Sequence, residues 1–120
     1  MDQNSQYLLV AALVLAYVGW RAWHSWRMRR RVSELLSEGA AIIDVRSPVE
    51  FAQGHADGSL NLPLSTLADA PLSLDPGRAI IVCCASGTRS AMAKSVLVRR
   101  GFRNVVNGGS WVNVARGAHG

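Results

Sequence analysis

Cys84 stands between an apolar run, Ala79-Ile80-Ile81-Val82-Cys83, and a helix-forming run from Ser90 to Arg100, with Arg89 five positions after it. The intervening residues, Ala85-Ser86-Gly87-Thr88, are all small. A cysteine on a tight strand-to-helix turn faces converging backbone N–H groups and the positive end of a helix dipole. Gly87 permits the positive φ that such a turn needs, and Ser86 and Thr88 add hydroxyl donors. A free thiol of pKa about 8.5 is roughly 3% ionised at pH 7, whereas a pKa of about 6.5 makes it roughly 75% thiolate. The helix N-terminus and Arg89 are expected to supply that shift. The expected product is a nucleophilic thiolate, or a pocket that holds a terminal persulfide or oxyanion. Cys83, at the strand end, is expected to point into the core and to be structural.

The remaining polar positions fit the same site. Reactive groups of an open parallel sheet gather at the carboxyl ends of its strands. Asp44 and Arg46 end the run Ala40–Val45, and Asn107 follows the run Arg103–Val106. The two cysteines are adjacent, a poor geometry for a disulfide, and they favour a reducing compartment. Three isolated histidines (His24, His55, His119) and neighbouring thiols give no metal-ligand spacing. No metal and no organic cofactor is therefore expected.

These residues must be positioned by alternating strands and helices. Strands are expected at Ala40–Val45, Ser59–Leu62, Ala79–Cys83 and Arg103–Val106. Helices are expected at Val32–Glu38, Pro48–Gln53, Ser65–Ala70, Thr88–Arg100 and Ser110–Arg116, with Gly39 and Gly101 as stops and Gly108 and Gly109 opening the last helix. This alternation specifies an α/β domain with a small, mainly parallel sheet and helices on both faces.

The N-terminal segment differs in kind. Tyr7–Trp20 contains no charge, and extension to Trp26 gives a span of twenty residues, about 30 Å of helix, in which Arg21 and His24 must snorkel to the interface. Tyr17, Trp20, Trp23 and Trp26 form an interfacial belt. Arg27, Arg29, Arg30 and Arg31 follow it, while only Asp2 precedes it. With Arg21 included, residues 1–31 carry +4 of the net +5. That concentration fits a membrane boundary rather than a nucleic-acid-binding face. The sequence therefore divides into a membrane anchor (1–31, crossing with residues 7–26) and a folded domain (32–120). By the positive-inside rule the N-terminus lies outside and the domain in the cytoplasm.

The segments Ile43–Pro63 (IDVRSPVEFAQGHADGSLNLP) and Ile81–Ala91 (IVCCASGTRSA), with GGSW near the end, resemble the rhodanese homology domain over roughly residues 33–116. The resemblance implies a single-domain sulfurtransferase. In it Cys84 takes a sulfane sulfur from a donor such as thiosulfate or a persulfide and passes it to a thiol or cyanide. It further implies that Ala85, Ser86, Gly87, Thr88 and Arg89 form the persulfide loop. Asp44, Arg46 and Glu50 match a signature that is more often an ion-pair network than catalytic, and His55 matches a structural turn histidine. Ala56-Asp57 replaces a common Ile-Pro, the stretch Leu64–Arg78 is short, and Ala85 and Ser86 are neutral where some thiosulfate-using relatives are basic. An open pocket rim is therefore expected. Two other readings use the same residues: a catalytically idle interaction module at the membrane, and a cysteine phosphatase or arsenate reductase. The second requires five residues between Cys and Arg, and this chain has four.

Overall fold

A computed structural model describes residues 2–119. Helix α1 runs without a break from Gln3 to Ser37. The expected anchor and the expected helix Val32–Glu38 are therefore one rod, closed by a turn at Gly39. Then follow β1 (Ala41–Asp44), α2 (Pro48–Ala52), β2 (Leu60–Asn61), a 3-10 turn (Leu64–Thr66), β3 (Ile80–Cys84), α3 (Thr88–Arg99), β4 (Val105–Ser110) and α4 (Trp111–His119). The sheet order is β2-β1-β3-β4 and every pairing is parallel.

β1 and β3 are buried along their whole length because helices cover both faces. Ile43, Val45, Ile80, Val82 and Cys84 face α3 together with Leu67, Ala93 and Leu97. Ile42, Ile81 and Cys83 face the other way, toward Val32 of α1 and Val114 of α4. This alternation sends the two neighbouring cysteines to opposite faces.

Three elements differ from the expectation. The helix expected at Ser65–Ala70 is only a 3-10 turn, within a short connection. Cys84 is the last residue of β3 rather than the first of the turn. β4 continues through Gly108 and Gly109 to Ser110, so these glycines do not open a helix. Val82 pairs with Asn107 and Cys83 with Gly109, leaving Gly108 as the extra residue of a bulge.

The lower part of α1 belongs to the domain. Gly117 is buried on α1, where a Cβ would lie 2.8 Å from the Arg29 carbonyl oxygen and 3.0 Å from Val32 Cβ. Only glycine allows α4 to approach this closely. Ser25 still accepts from Asn113 Nδ2 at 3.4 Å, and toward its N-terminus from there α1 projects free. Tyr7, Leu8, Leu13, Leu15 and Trp20 are all more than half exposed, and the molecule measures 62 × 29 × 29 Å.

Candidate functional site

Strand β3 delivers the Cys84 sulfur to the carboxyl edge of the sheet, and the next three residues curl over it. Gly87 adopts φ +106°, a conformation that L side chains rarely adopt. Its N–H donates to Cys84 Sγ at 2.9 Å. Ser90, one turn into α3, places its hydroxyl oxygen 3.5 Å from the same sulfur. That hydroxyl also donates to Asn107 Oδ1 (2.7 Å) and to the Gly87 carbonyl (3.0 Å). Asn107 is fixed in turn: its Oδ1 accepts from Gly109 N–H (2.9 Å) and its Nδ2 donates to the Gly87 carbonyl (3.3 Å). One hydroxyl hydrogen thus has three acceptors within reach: the sulfur, Asn107 Oδ1 and the Gly87 carbonyl oxygen.

Burial pushes the Cys84 thiol up, but it is outweighed. The Ser90 hydroxyl and the backbone N–H groups of Ser90, Gly87 and Ser86 bring the pKa below that of an ordinary thiol. Cys84 itself is only 1% exposed, more enclosed than an open nucleophile. The residues over it, Ala85, Ser86 and Thr88, are exposed. Cys83 behaves oppositely: burial, reinforced by the Asp44 charge, raises it to about 12. It stays a neutral core thiol.

The charged residues form a frame around the sulfur. Asp44 is fully buried and accepts from Arg46 N, Nε and Nη2 at 3.0, 3.0 and 2.7 Å. Arg46 also donates to the carbonyls of Glu50 (3.3 Å) and Gly54 (2.7 Å) and stacks on Trp111 at 4.7 Å. Glu50 is not part of that ion pair. Its carboxylate caps α2 through Ser47 N–H (3.2 Å) and takes both ends of the Arg89 guanidinium at 2.7 and 2.9 Å. Arg89, with the Ser47 cap, holds the Glu50 carboxyl down to about 2. Glu50 engages the Arg89 guanidinium, so the direct contacts that lower the Cys84 thiol are amides and a hydroxyl, while a charge on Cys84 also favours the Arg89 cation. His55 donates from Nδ1 to the Phe51 carbonyl (2.8 Å) and stacks on the Phe51 ring, a turn-closing role.

Ser90 is the polar contact that sequence reasoning missed. It lies three residues after Gly87, the spacing that returns a side chain to a helix start, whereas Ser86 and Thr88 point to solvent. A cavity of about 510 Å³ adjoins the loop. Ser86, Gly87 and Thr88 line one side, Asn113 and Arg116 of α4 another, and Arg21, His24 and Ser25 of α1 a third. Leu64, Ser65 and Thr66, from the short stretch behind the expected open rim, line a separate opening with Ser47 and Arg89.

The arrangement suits a single sulfur-sized anion held by amides and a hydroxyl. A family model described as Rhodanese-like domain matches residues 28–114. Thiosulfate sulfurtransferase GlpE of Ectopseudomonas mendocina is 37% identical over 76 residues, covering 63% of this chain and 70% of that protein. Thiosulfate sulfurtransferase 16, chloroplastic, of Arabidopsis thaliana is 38% identical over 84 residues, covering 60% and 70%. A solved structure described as rhodanese with anions from E. coli superposes with a TM-score of 0.60 at 32% identity, covering 64% of this chain and 93% of that one.

Proposed function

Because the chain belongs to the rhodanese-like domain family, we propose that it is a sulfurtransferase whose nucleophile is Cys84 and which its first helix holds at a membrane. The observation that carries the chemical reading is the sulfur cradle: Gly87 N–H 2.9 Å from Sγ, Ser90 beside it, and a thiol pKa below the ordinary value. The thiolate attacks the sulfane sulfur of a donor such as thiosulfate. A bond forms between Sγ and that sulfur, the donor's S–S bond breaks, and sulfite leaves with the electron pair. The terminal persulfide anion takes the place that Ala85–Thr88 frame. Cyanide or a thiolate then attacks the outer sulfur, leaves as thiocyanate or a persulfide, and restores the Cys84 thiolate. This is two-step covalent transfer through one cysteine. Arg89, Glu50, Asp44 and Arg46 act by holding the loop in place.

The membrane reading rests on α1, a helix long and apolar enough to cross a bilayer, with its upper part unburied. A single pass with the N-terminus outside places Arg27–Arg31 and the folded domain in the cytoplasm. The division 1–31 and 32–120 is then functional rather than structural, because the helix crosses it unbroken (the terminal Met1 and Gly120 lie outside the described residues).

Thiocyanate formation from thiosulfate and cyanide tests the chemistry. Cys84→Ser abolishes it and Cys83→Ser retains most of it; equal loss in both variants contradicts the assignment. Protease treatment of sealed vesicles tests the topology. Digestion of the domain only from the cytoplasmic side agrees with it, and digestion only from the other side refutes it.

A further inference from the structure

The loop over Cys84 offers an incoming anion no free positive charge of its own. Ala85 and Ser86 are neutral, Arg89 is closed by Glu50 at 2.7 Å, and Arg46 is closed by Asp44 at 2.7 Å. The facing wall of the same cavity differs. α1 and α4 bring Arg21 and Arg116 to the cavity that Ser86, Gly87 and Thr88 line. Both side chains are exposed, and neither meets a carboxylate among the described residues. Arg21 is positioned without being neutralised: its Nη1 donates to the Tyr17 hydroxyl at 3.3 Å, and the guanidinium lies 5.9 Å from that ring's centroid.

The juxtaposition comes from the close helix packing. Asn113 Nδ2 donates to the Ser25 carbonyl at 3.4 Å, and Gly117 rests on Arg29 and Val32. Arg21 precedes and Arg116 follows the residues that the family model matches, 28–114. Both cations lie outside the matched residues.

We propose that Arg21 and Arg116 form an anion-selecting rim of the transfer cleft, favouring sulfur donors whose far end is an oxyanion group of the sulfonate kind. Their use in turnover rests on the sulfurtransferase reading; their selection of anions at Cys84 does not. The rim draws in the donor's oxyanion end while the sulfane sulfur meets Sγ. It then faces the charge that develops on the departing sulfite when the donor S–S bond breaks. Cations converging on a cleft of this kind raise the local concentration and the on-rate of anions.

The test uses the full chain in neutral-detergent micelles at low ionic strength. Alkylation of Cys84 by iodoacetate (an anion) and by iodoacetamide (neutral) is followed by peptide mass spectrometry, and the ratio of the two rates is compared between variants. Arg21→Ala and Arg116→Ala each lower the ratio, and the double variant lowers it about tenfold. Arg21→Lys keeps most of it, and high salt erases the difference. Arg99→Ala, on the exposed far end of α3, keeps the wild-type ratio. Where thiosulfate is turned over, the same variants raise KM more than they lower kcat. A double variant with an unchanged ratio overturns the rim, and so does an equal fall in both alkylation rates, which marks a damaged cradle. A wild-type chain that transfers no sulfur, yet loses its alkylation ratio in the double variant, refutes the sulfurtransferase reading and leaves the rim standing.

Discussion

The Cys84 thiol is pulled in two directions: burial favours the neutral form, and the donors around it favour the ion. The donors win because Ser90 and the N–H groups of Ser86, Gly87 and Ser90 converge on one atom. Removing one donor should tip the balance back. Ser90→Ala is expected to move the pH midpoint of Cys84 alkylation up toward that of a free thiol, whereas Thr88→Ala leaves it in place. An unchanged midpoint in Ser90→Ala would show that the hydroxyl contributes nothing. Cys83, at about 12, is expected to resist alkylation at neutral pH throughout. Much of this was legible in the chain. The small residues after Cys84 and the glycine three positions on require a turn of this type, and alternation along β3 separates the cysteines. The source of the ionisation was not legible. Arg89 is the obvious cation in the sequence, but its carboxylate partner Glu50 lies 39 positions away, and only the tertiary fold joins them. Ser90 read as part of a helix, and its contact with the sulfur appears only once α3 is set against the end of β3.

Around the sulfur, α2 and the start of α3 are locked by Glu50. Its carboxyl is depressed to about 2 from an ordinary 4.5. A depressed carboxyl stabilises the fold above its unfolded pKa, and that contribution disappears as pH falls through the folded value. The wild type is therefore expected to lose stability between about pH 4.5 and 2, and Glu50→Gln to lose less across that window in acid-unfolding curves. Identical acid profiles would remove the lock from the account. The Asp44–Arg46 pair is a stronger constraint because both partners are buried. Arg46→Ala leaves the Asp44 carboxylate unpaired, and denaturant unfolding is expected to show a loss of about 3–5 kcal/mol. Element types followed from apolar runs and turn residues, and the parallel order followed from their alternation. Element ends did not. The glycines 108 and 109 look like a helix start, but pairing with β3 carries the strand through them by way of a bulge. The stretch Leu64–Arg78 has too little local signal to hold more than one 3-10 turn.

At the scale of the whole molecule, α1 is both projection and scaffold. Its upper half is bare and apolar, and its lower half packs on α4 through Gly117. Arg21, His24 and Ser25 share a cavity with the Cys84 loop, so the carboxyl edge of the sheet points back along α1 toward its apolar end. With the proposed anchor in a bilayer, the transfer cleft opens beside the headgroups. Gly117→Leu is expected to pry α4 from α1, cost about 1–3 kcal/mol, and weaken the cleft wall without touching the cradle. A variant as stable as wild type would mean that the helices do not rely on this contact. The apolar run and the arginines after it made the projection legible. The return of the cleft toward it was not, because it depends on how α4 docks. The most direct test of the central claim is intact-protein and peptide mass spectrometry after exposure to thiosulfate or a persulfide donor. The account predicts a gain of one sulfur atom on Cys84, removed by cyanide and missing from Cys84→Ser. No added sulfur from any donor, on a Cys84 that still alkylates readily, would contradict it.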